Sequence, residues 1–415
     1  MPEEVPVGQL HLELLSLSIY RKMTKQPVFA ALHNLLAAAA AGDIPALCEG
    51  MGRLCAVLAE KGLLHSLPSA VAAEVLRDDN AYTAALSGTA AVDARLQAAA
   101  LRDLHLLYRA ASLPPEALTA PLDPALAAAM PVWGVEPAPA PMDLPWGSDP
   151  ARLAAYHKSH GCGRFVSCYA FLWRDGALLP VEHPDPIRLS NLKSYEYQRR
   201  IAVDNTRAFL DGFEANNMLL YGDRGTGKSS TVKALLNEYA GEGLRMIEMP
   251  KESLRDLPDL TGYLAGIPMK FIIFIDDLSF SRDDDNYSAL KAVLEGGLAS
   301  RPHNVVIYAT SNRRHLLRET FSDRSGDEVH HADTVQESVS LSDRFGISLT
   351  FLLPDKQRFL EIVEQIANDR GLQVDRQTLL DAAERWALER GGRSPRYARQ
   401  FITDAQARLA RGEAL

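Results

Sequence analysis

A glycine-rich octet, GDRGTGKS, constrains the fold of this chain more than any other part of its sequence. The apolar run NMLLYG leads into it, and the helical pattern SSTVKALLNEYAGEG leads out of it. The octet fits G-x-x-x-x-G-K-[ST], in which glycines let backbone amides turn inward around an anion at the start of a helix. The sequence therefore predicts a phosphate-binding loop between a strand and a helix. The residues of this predicted loop are Gly222, Asp223, Arg224, Gly225, Thr226, Gly227, Lys228, Ser229 and Ser230.

Two side chains of this loop have specific expected roles. The Lys228 ammonium is expected to reach the outer phosphates of a nucleotide, and the Ser229 hydroxyl is expected to ligate Mg²⁺. The alternative is a chance glycine-rich turn, and the strand before it and the helix after it disfavour that alternative. The chain is therefore expected to bind ATP or ADP together with Mg²⁺.

Short apolar runs separated by helical patterns continue through the second half of the chain. They are LRMIEMP, KFIIFID, NVVIYATSN and ISLTFLLP. Their apolar residues are continuous rather than alternating, which is typical of parallel strands covered on both faces. Together with NMLLYG they predict a doubly wound α/β fold with a five-stranded parallel sheet. Three helical patterns after Pro354 predict a small helical lid.

The first half of the chain has a different pattern. Leu and Ala recur at helical spacing over residues 10–115. Six prolines within residues 130–150 predict a semi-rigid linker. Two apolar runs around Asp175 and Gly176 predict a β-hairpin. The predicted domains are an all-α domain (1–129), a Pro-rich linker (130–150), a β-hairpin connector (151–190), an α/β nucleotide-binding core (191–353) and a helical lid (354–415).

Composition and charge restrict the classes of partner. The net charge is -9. Tight, sequence-independent DNA binding needs many basic contacts to phosphates, so nucleic acid is possible as a partner but not favoured. No apolar run approaches the roughly 18 residues of a membrane span, so no membrane partner is expected. The acidic start, MPEEVPVGQL, does not resemble a secretory signal, and a cytoplasmic location is predicted.

Adjacent aspartates follow the apolar run FIIFI. Asp276 is expected to hold Mg²⁺, directly or through water. Asp277 is expected to orient or deprotonate an attacking water, and the alternative is that it only caps the following segment. Many ATP-hydrolysing chains have glutamate at the second position, so the shorter side chain of Asp277 raises the question of slow turnover.

Two further polar residues lie near strand ends. Asn312 ends the run IYATSN and is expected to position a water beside the γ-phosphate, unless it only forms a turn. Arg344, in LSDRFG, comes just before the last predicted strand. It could reach the nucleotide of a neighbouring subunit as an arginine finger. On spacing alone, a surface salt bridge is an equal alternative.

The order of these motifs resembles the AAA+ ATPases over about residues 190–410. The strings ANNMLLYGDRGTGKSS, FIDDLSF, LKAVLEGGL, YATSNRRHL, LSDRFG and ARQF look like a bacterial AAA+ family catalogued as domain of unknown function 815. This resemblance implies that Arg344 acts as a finger in trans within a homo-oligomer. It also implies a second sensor arginine in the lid. Arg396 fits that position best, with Arg393 and Arg399 as neighbouring alternatives.

The sequence therefore predicts a cytoplasmic bacterial AAA+ ATPase. It would hydrolyse ATP to ADP and phosphate at subunit interfaces and so remodel an unidentified protein partner or its own oligomer. Asp277, Asn312, Arg344 and Arg396 are the predicted catalytic residues, and Ser229 and Asp276 are the predicted metal ligands. The alternatives are a nucleotide-gated binding switch with slow turnover and a DNA-associated loader or helper ATPase.

Overall fold

A computed structural model describes residues 6–87, 91–280, 285–295, 302–312 and 344–415. The chain forms two compact units, Met1–Ser167 and Cys168–Leu415. In its described residues, the first unit consists of helices joined by turns and extended segments. Its α-helices are α1 (Val7–Leu14), α2 (Pro27–Ala41), α3 (Ile44–Glu60), α4 (Leu67–Leu76), α5 (Ala81–Ser87), α6 (Ala94–Ala111), α7 (Pro115–Thr119), α8 (Pro124–Ala128), α9 (Pro150–His160) and α10 (Arg164–Ser167).

The helices of the first unit begin where the sequence supplies caps. The side chains of Asp43, Ser66 and Asp93 accept backbone N–H groups at the starts of α3, α4 and α6. Behind these caps, leucines on the inner faces form one apolar core. Asp103 is fully buried and accepts the amides of Ser18, Ile19 and Tyr20, which joins α6 to the turn after α1.

The Pro-rich residues 130–150, predicted as a linker, pack extensively against these helices. Trp133, Met142 and Trp146 are buried in the same apolar core. The Trp133 Nε1 donates to the carbonyl of Leu113 at 3.2 Å. Gly134 lies so close to His65 that a Cβ would come within 2.0 Å of the His65 carbonyl oxygen. This segment therefore contributes to the core of the first unit.

The second unit contains one seven-stranded sheet in the order β2-β1-β4-β5-β6-β3-β7. All neighbouring strands are parallel except β1 and β2, which form an antiparallel hairpin. The strands are β1 (Ala170–Arg174), β2 (Ala177–Pro180), β3 (Met218–Gly222), β4 (Leu244–Glu248), β5 (Lys270–Ile275), β6 (Val305–Ser311) and β7 (Ile347–Phe351). The predicted α/β fold class is thus confirmed.

The sheet is wider than the five strands that the sequence predicted. The predicted hairpin is present, but it joins the sheet, because β1 pairs in parallel with β4 through Ala170 opposite Met246. An isolated hairpin leaves the outer backbone groups of both strands without strand partners. Pairing with β4 provides hydrogen-bond partners for the outer backbone groups of β1. It also covers the edge of the five-stranded sheet that β4 would otherwise expose.

Helices accompany this sheet, and three of them follow its last strand. They are α11 (Glu196–Leu210), α12 (Lys228–Tyr239), α13 (Leu257–Ala265), α14 (Asp285–Glu295), α15 (Lys356–Asp369), α16 (Arg376–Glu389) and α17 (Pro395–Ala410). The last three form the predicted lid, with a core of their own that includes Phe359, Ala383 and Phe401. None of the helices within the described residues combines the length and apolar composition that a membrane crossing requires.

Candidate functional site at the carboxyl ends of the strands

The octet forms a tight loop between β3 and α12. Gly225 and Gly227 have φ of 77° and 99°, which lie in the left-handed region where a Cβ is unfavourable. Gly222 is required for a different reason, because a Cβ there would lie 2.1 Å from the carbonyl oxygen of Phe351. No side chain caps the start of α12 at Gly227. The first amides of this helix therefore face the loop as a site for an anion.

Lys228 is buried beneath this loop, with 6% of its surface exposed. Its ammonium donates to the carbonyls of Gly222 at 2.9 Å and Asp223 at 2.7 Å, and to Asn312 Oδ1 at 3.2 Å. Burial lowers the pKa of Lys228, and the carboxylates of Asp223, Asp277 and Asp276 oppose that shift. The three N–H groups of the ammonium thus each have an acceptor, and these contacts fix Lys228 at the end of the sheet where the loop lies.

The two predicted magnesium ligands are in direct contact. The Ser229 hydroxyl donates to Asp276 Oδ1 at 2.6 Å. This contact forms because Ser229 lies in the first turn of α12 while Asp276 immediately follows β5. A hydroxyl and a carboxylate oxygen are hard ligands of the type that Mg²⁺ prefers, so this pair fits the predicted metal. Among the described residues, no group of three or more His, Cys, Asp or Glu side chains gathers as an alternative metal site.

Asp277 and Asn312 also meet at this edge. Asn312 Nδ2 donates to Asp277 Oδ1 at 2.5 Å, while its Oδ1 accepts from Lys228. Asn312 therefore bridges the phosphate-loop lysine and the second aspartate. The Asp277 side chain is exposed to solvent, which a group that acts on a water molecule requires.

Thr310 is a site residue that the sequence motifs did not reveal. It is 2% exposed, and its hydroxyl donates to Asp276 Oδ1 at 2.5 Å and accepts from the Asp277 amide at 3.0 Å. The parallel register sets Ile275 opposite Ala309, so the residues that follow them are neighbours. A hydroxyl residue two positions before Asn312, in a strand next to the aspartates, is the sequence signal that could have identified it.

Replacing Thr310 by valine is expected to destabilise the second unit by about 1–3 kcal/mol, because the half-buried Asp276 carboxylate and the Asp277 amide both lose a partner. Thr310→Ser keeps the hydroxyl and serves as the matched control. The temperature of the unfolding transition, measured by scanning calorimetry, checks this expectation. Equal transition temperatures for the wild type and the valine variant would contradict it.

The three candidate lid arginines have different surroundings. The Arg396 amide donates to the carbonyl of Gly225 at 3.1 Å, which brings the start of α17 onto the phosphate loop. Arg399 donates to the Asn191 carbonyl at 2.8 Å, and burial lowers its pKa. Arg393 instead forms an ion pair with Glu384 within the lid. Arg396 thus contacts the loop, Arg399 contacts the segment before α11, and Arg393 is paired within the lid.

Arg344 lies at the opposite end of the sheet. It precedes β7, whose first residue, Ile347, pairs with Met218, the first residue of β3. The phosphate loop begins at the other end of β3, at Gly222. A strand advances by roughly 3.3 Å per residue, so the four steps from Met218 to Gly222 place the start of β7, which Arg344 precedes, about 13 Å from the beginning of the loop.

A cavity of about 610 Å³ lies over the phosphate loop. Many predicted site residues line it, namely Arg224, Gly225, Thr226, Gly227, Lys228, Ser229, Ser230, Asp276, Asp277, Asn312 and Arg396. Gly222, Asp223 and Arg344 are not among its lining residues. The apolar side chains of Leu192, Ile362 and Ile366 also line the cavity, together with Tyr195. The cavity therefore combines a polar loop with an apolar surface, as a nucleotide with a base and a polyphosphate requires.

Comparison with known proteins identifies a family. The family model described as Protein of unknown function (DUF815) matches residues 166–409. This match covers more than half of the chain, so the chain belongs to that family. No curated protein matches the chain by sequence.

Two kinds of solved structure are similar to part of the chain. The Holliday junction branch migration motor RuvB of Thermotoga maritima is 17% identical, with a TM-score of 0.39 over 55% of this chain and 67% of that chain. A DNA replication initiation factor is 17% identical, with a TM-score of 0.36 over 55% of this chain and 68% of that chain. Both similarities are low, and the fold assignment follows from the strand order of this chain itself.

Proposed function

We propose that this member of the DUF815 family is an ATPase that binds ATP with Mg²⁺ and hydrolyses it to ADP and phosphate between neighbouring subunits. One observation carries the proposal: Lys228, Ser229, Asp276, Asp277 and Asn312 converge at the carboxyl ends of β3, β5 and β6. In an open parallel sheet this edge is the ordinary place for a ligand. The side chains that meet there are those that phosphoryl transfer uses.

Binding would use the loop and the start of α12. The free amides of the loop would hold the β- and γ-phosphate oxygens, and Lys228 would turn from the loop carbonyls toward these oxygens. Ser229 and Asp276 would hold Mg²⁺, which supplies positive charge beside the phosphates when bound. The apolar cavity wall formed by Leu192, Ile362 and Ile366 would cover the base.

Hydrolysis would require a water in line with the γ-phosphate. Asp277 would accept a proton from this water while the water oxygen bonds to the γ-phosphorus. The bond between the γ-phosphorus and the β,γ-bridging oxygen would break, which releases ADP and phosphate. Asn312, which already contacts Asp277, would orient the same water. Arg396 would approach the phosphates from the lid, and its amide contact with Gly225 supports this role.

Arg344 would complete the site of a neighbouring copy. Its place before β7, at the end of the sheet opposite its own phosphate loop, supports a role in trans. An arginine beside the γ-phosphate would stabilise the negative charge of the transition state. The proposal therefore includes a homo-oligomer in which each active site takes residues from two subunits.

Nucleotide turnover would move the lid relative to the sheet. The lid contacts the phosphate loop through Arg396 and contacts the residues before α11 through an ion pair between Lys193 and Asp369. A change in phosphate occupancy would alter these contacts, and the movement would act on an unidentified protein partner or on the oligomer itself.

Replacing Lys228 by methionine is expected to weaken ATP binding by about 10–100-fold, because a charge-assisted contact to the phosphates is lost. Lys233→Met, in the same helix but away from the cavity, is the matched control. Titration with a fluorescent ATP analogue measures both affinities. Wild-type protein that binds no ATP, or equal affinities for the wild type and Lys228→Met, would refute the proposed site.

A further inference from the structure

We propose that Asp223 is a positioning residue that couples the phosphate loop to the connection between the sheet and the lid. This proposal rests on the proposed function, because the phosphate of a bound nucleotide is the signal that would be coupled. Asp223 is the second residue of the octet, but it does not line the nucleotide cavity. Its contacts are instead with the chain that leaves β7.

Asp223 holds this connection at two places. Its amide donates to the Phe351 carbonyl at 2.8 Å, at the last residue of β7. Its carboxylate Oδ2 accepts the Leu353 amide at 2.7 Å, two residues further on. The lid begins almost immediately afterwards, since Asp355 caps the start of α15. One residue of the phosphate loop thus determines where the chain leaves the sheet toward the lid.

The connection depends on these backbone contacts because its side chains contribute little. Leu352 is 62% exposed and Leu353 is 44% exposed, so neither is anchored by burial in an apolar core. The Tyr195 hydroxyl also donates to the Leu352 carbonyl between these two contacts, at 2.6 Å. Loss of the Asp223 carboxylate therefore removes a main restraint on Leu353.

The same residue also responds to the phosphate-loop lysine. The Lys228 ammonium donates to the Gly222 carbonyl at 2.9 Å. This carbonyl belongs to the same peptide group as the Asp223 amide that donates to Phe351. When Lys228 turns toward a bound phosphate, the contact with Gly222 is lost and the Gly222–Asp223 peptide can adjust. The change at the nucleotide then reaches the connection through this peptide group and the Asp223 carboxylate.

Electrostatics give a second reason to assign Asp223 a role outside phosphate binding. A carboxylate within a phosphate loop repels the charge of ATP, so it opposes nucleotide binding. Its negative charge also raises the pKa of Lys228 against the effect of burial. The hydrogen bond to Leu353 provides a structural use for this otherwise unfavourable charge.

The test compares Asp223→Ala, which removes the acceptor, with Asp223→Asn, which keeps an oxygen of nearly the same position. Hydrogen exchange of the Leu353 amide is the readout, because Pro354 has no amide proton to confuse the signal. Without nucleotide, exchange at Leu353 is expected to be at least about tenfold faster in Asp223→Ala than in the wild type or Asp223→Asn. On adding ATP, the exchange rate should change in the wild type and Asp223→Asn but not in Asp223→Ala.

A second variant guards against misfolding of Asp223→Ala. Tyr195→Phe keeps the aromatic ring that lines the cavity and removes only the hydroxyl that donates to the Leu352 carbonyl. It is expected to accelerate exchange at Leu352 and Leu353 by a smaller factor while the response to ATP persists. Equal exchange in Asp223→Ala and the wild type, or equally fast exchange in both Asp223 variants, would overturn the coupling.

The result also separates this proposal from the proposed function. ATP binding is titrated in all variants at the same time. Intact binding with no ATP-dependent change at Leu353 in the wild type overturns the coupling and leaves the nucleotide site standing. No binding of ATP to the wild type overturns the proposed function, and the coupling with it.

Discussion

Replacing Arg344 by alanine is expected to lower the rate of ATP hydrolysis by about three orders of magnitude, with ATP binding almost unchanged. The reason is geometric: Arg344 precedes β7 at the end of the sheet remote from its own phosphate loop, so it would act only on a neighbouring subunit. Loss of an arginine finger removes stabilisation of the transition state but few contacts to bound ATP. Steady-state phosphate release and an ATP-binding titration measure the two quantities. Arg408→Ala, in the last turn of α17 and outside the cavity lining, is the control for the loss of an arginine away from the proposed site.

Mixing two inactive variants gives the stricter test of a site shared between subunits. An Arg344→Ala subunit keeps Asp277, and an Asp277→Asn subunit keeps Arg344. In a mixed oligomer, some Arg344→Ala subunits, which keep Asp277, lie next to Asp277→Asn subunits, which supply Arg344. The site between two such subunits has both residues. Hydrolysis is therefore expected to reappear on mixing and to rise with protein concentration. Hydrolysis by Arg344→Ala at the wild-type rate, at all concentrations, would exclude the trans role.

Replacing Asp277 by asparagine is expected to lower hydrolysis by about 10²–10⁴-fold while ATP stays bound. The backbone should tolerate this change, because Asp277 has a φ of 50° and asparagine adopts that left-handed region as readily as aspartate. The contact with Asn312 can also be kept through the amide oxygen. Single-turnover hydrolysis with bound ATP measures the effect. Asp259→Asn, at an exposed position in the first turn of α13, is the matched control.

The size of this effect also distinguishes the ATPase from the nucleotide-gated binding switch. If wild-type turnover is slow and Asp277→Asn lowers it little, Asp277 contributes little to the chemistry. The protein would then be a nucleotide-gated binding switch, and a partner would be captured in the ATP state alone. A large loss of turnover with retained binding supports the ATPase. The same variant then traps ATP and is suited to isolating the protein partner.

The backbone at Asp277 gives a local reason for aspartate where many ATPases have glutamate. Its amide is turned toward Asp276 and Thr310, with donor–acceptor distances of 3.2 Å and 3.0 Å. This orientation accompanies the positive φ, which aspartate adopts far more often than glutamate does. The sequence showed only a shorter side chain, whereas the structure shows that the shorter side chain suits its backbone conformation.

The sequence by itself determined the features that depend on contiguous residues. The octet specifies its own loop, because its glycines and Lys228 act within a few residues of each other. Continuous apolar runs specified five strands, and three helical patterns after Pro354 specified the lid, whose helices α15 and α17 begin at the caps Asp355 and Ser394 in the structure. Because these signals are local, the amino-acid sequence alone predicted the fold class and many of the residues that line the cavity over the octet.

Only the tertiary structure decided what depends on pairing between distant segments. Strand order and register determine which edge of the sheet the hairpin joins. They also bring Thr310 to Asp276 and Asp223 to Leu353. Residues 130–150 have the composition of a linker, yet Trp133 and Trp146 are buried in the apolar core of the first unit. A local pattern indicates which surface must be buried or which hydrogen-bond donor needs an acceptor. Many segments of the chain could cover that surface or supply that acceptor, so the packing of the sheet and helices decides which one does.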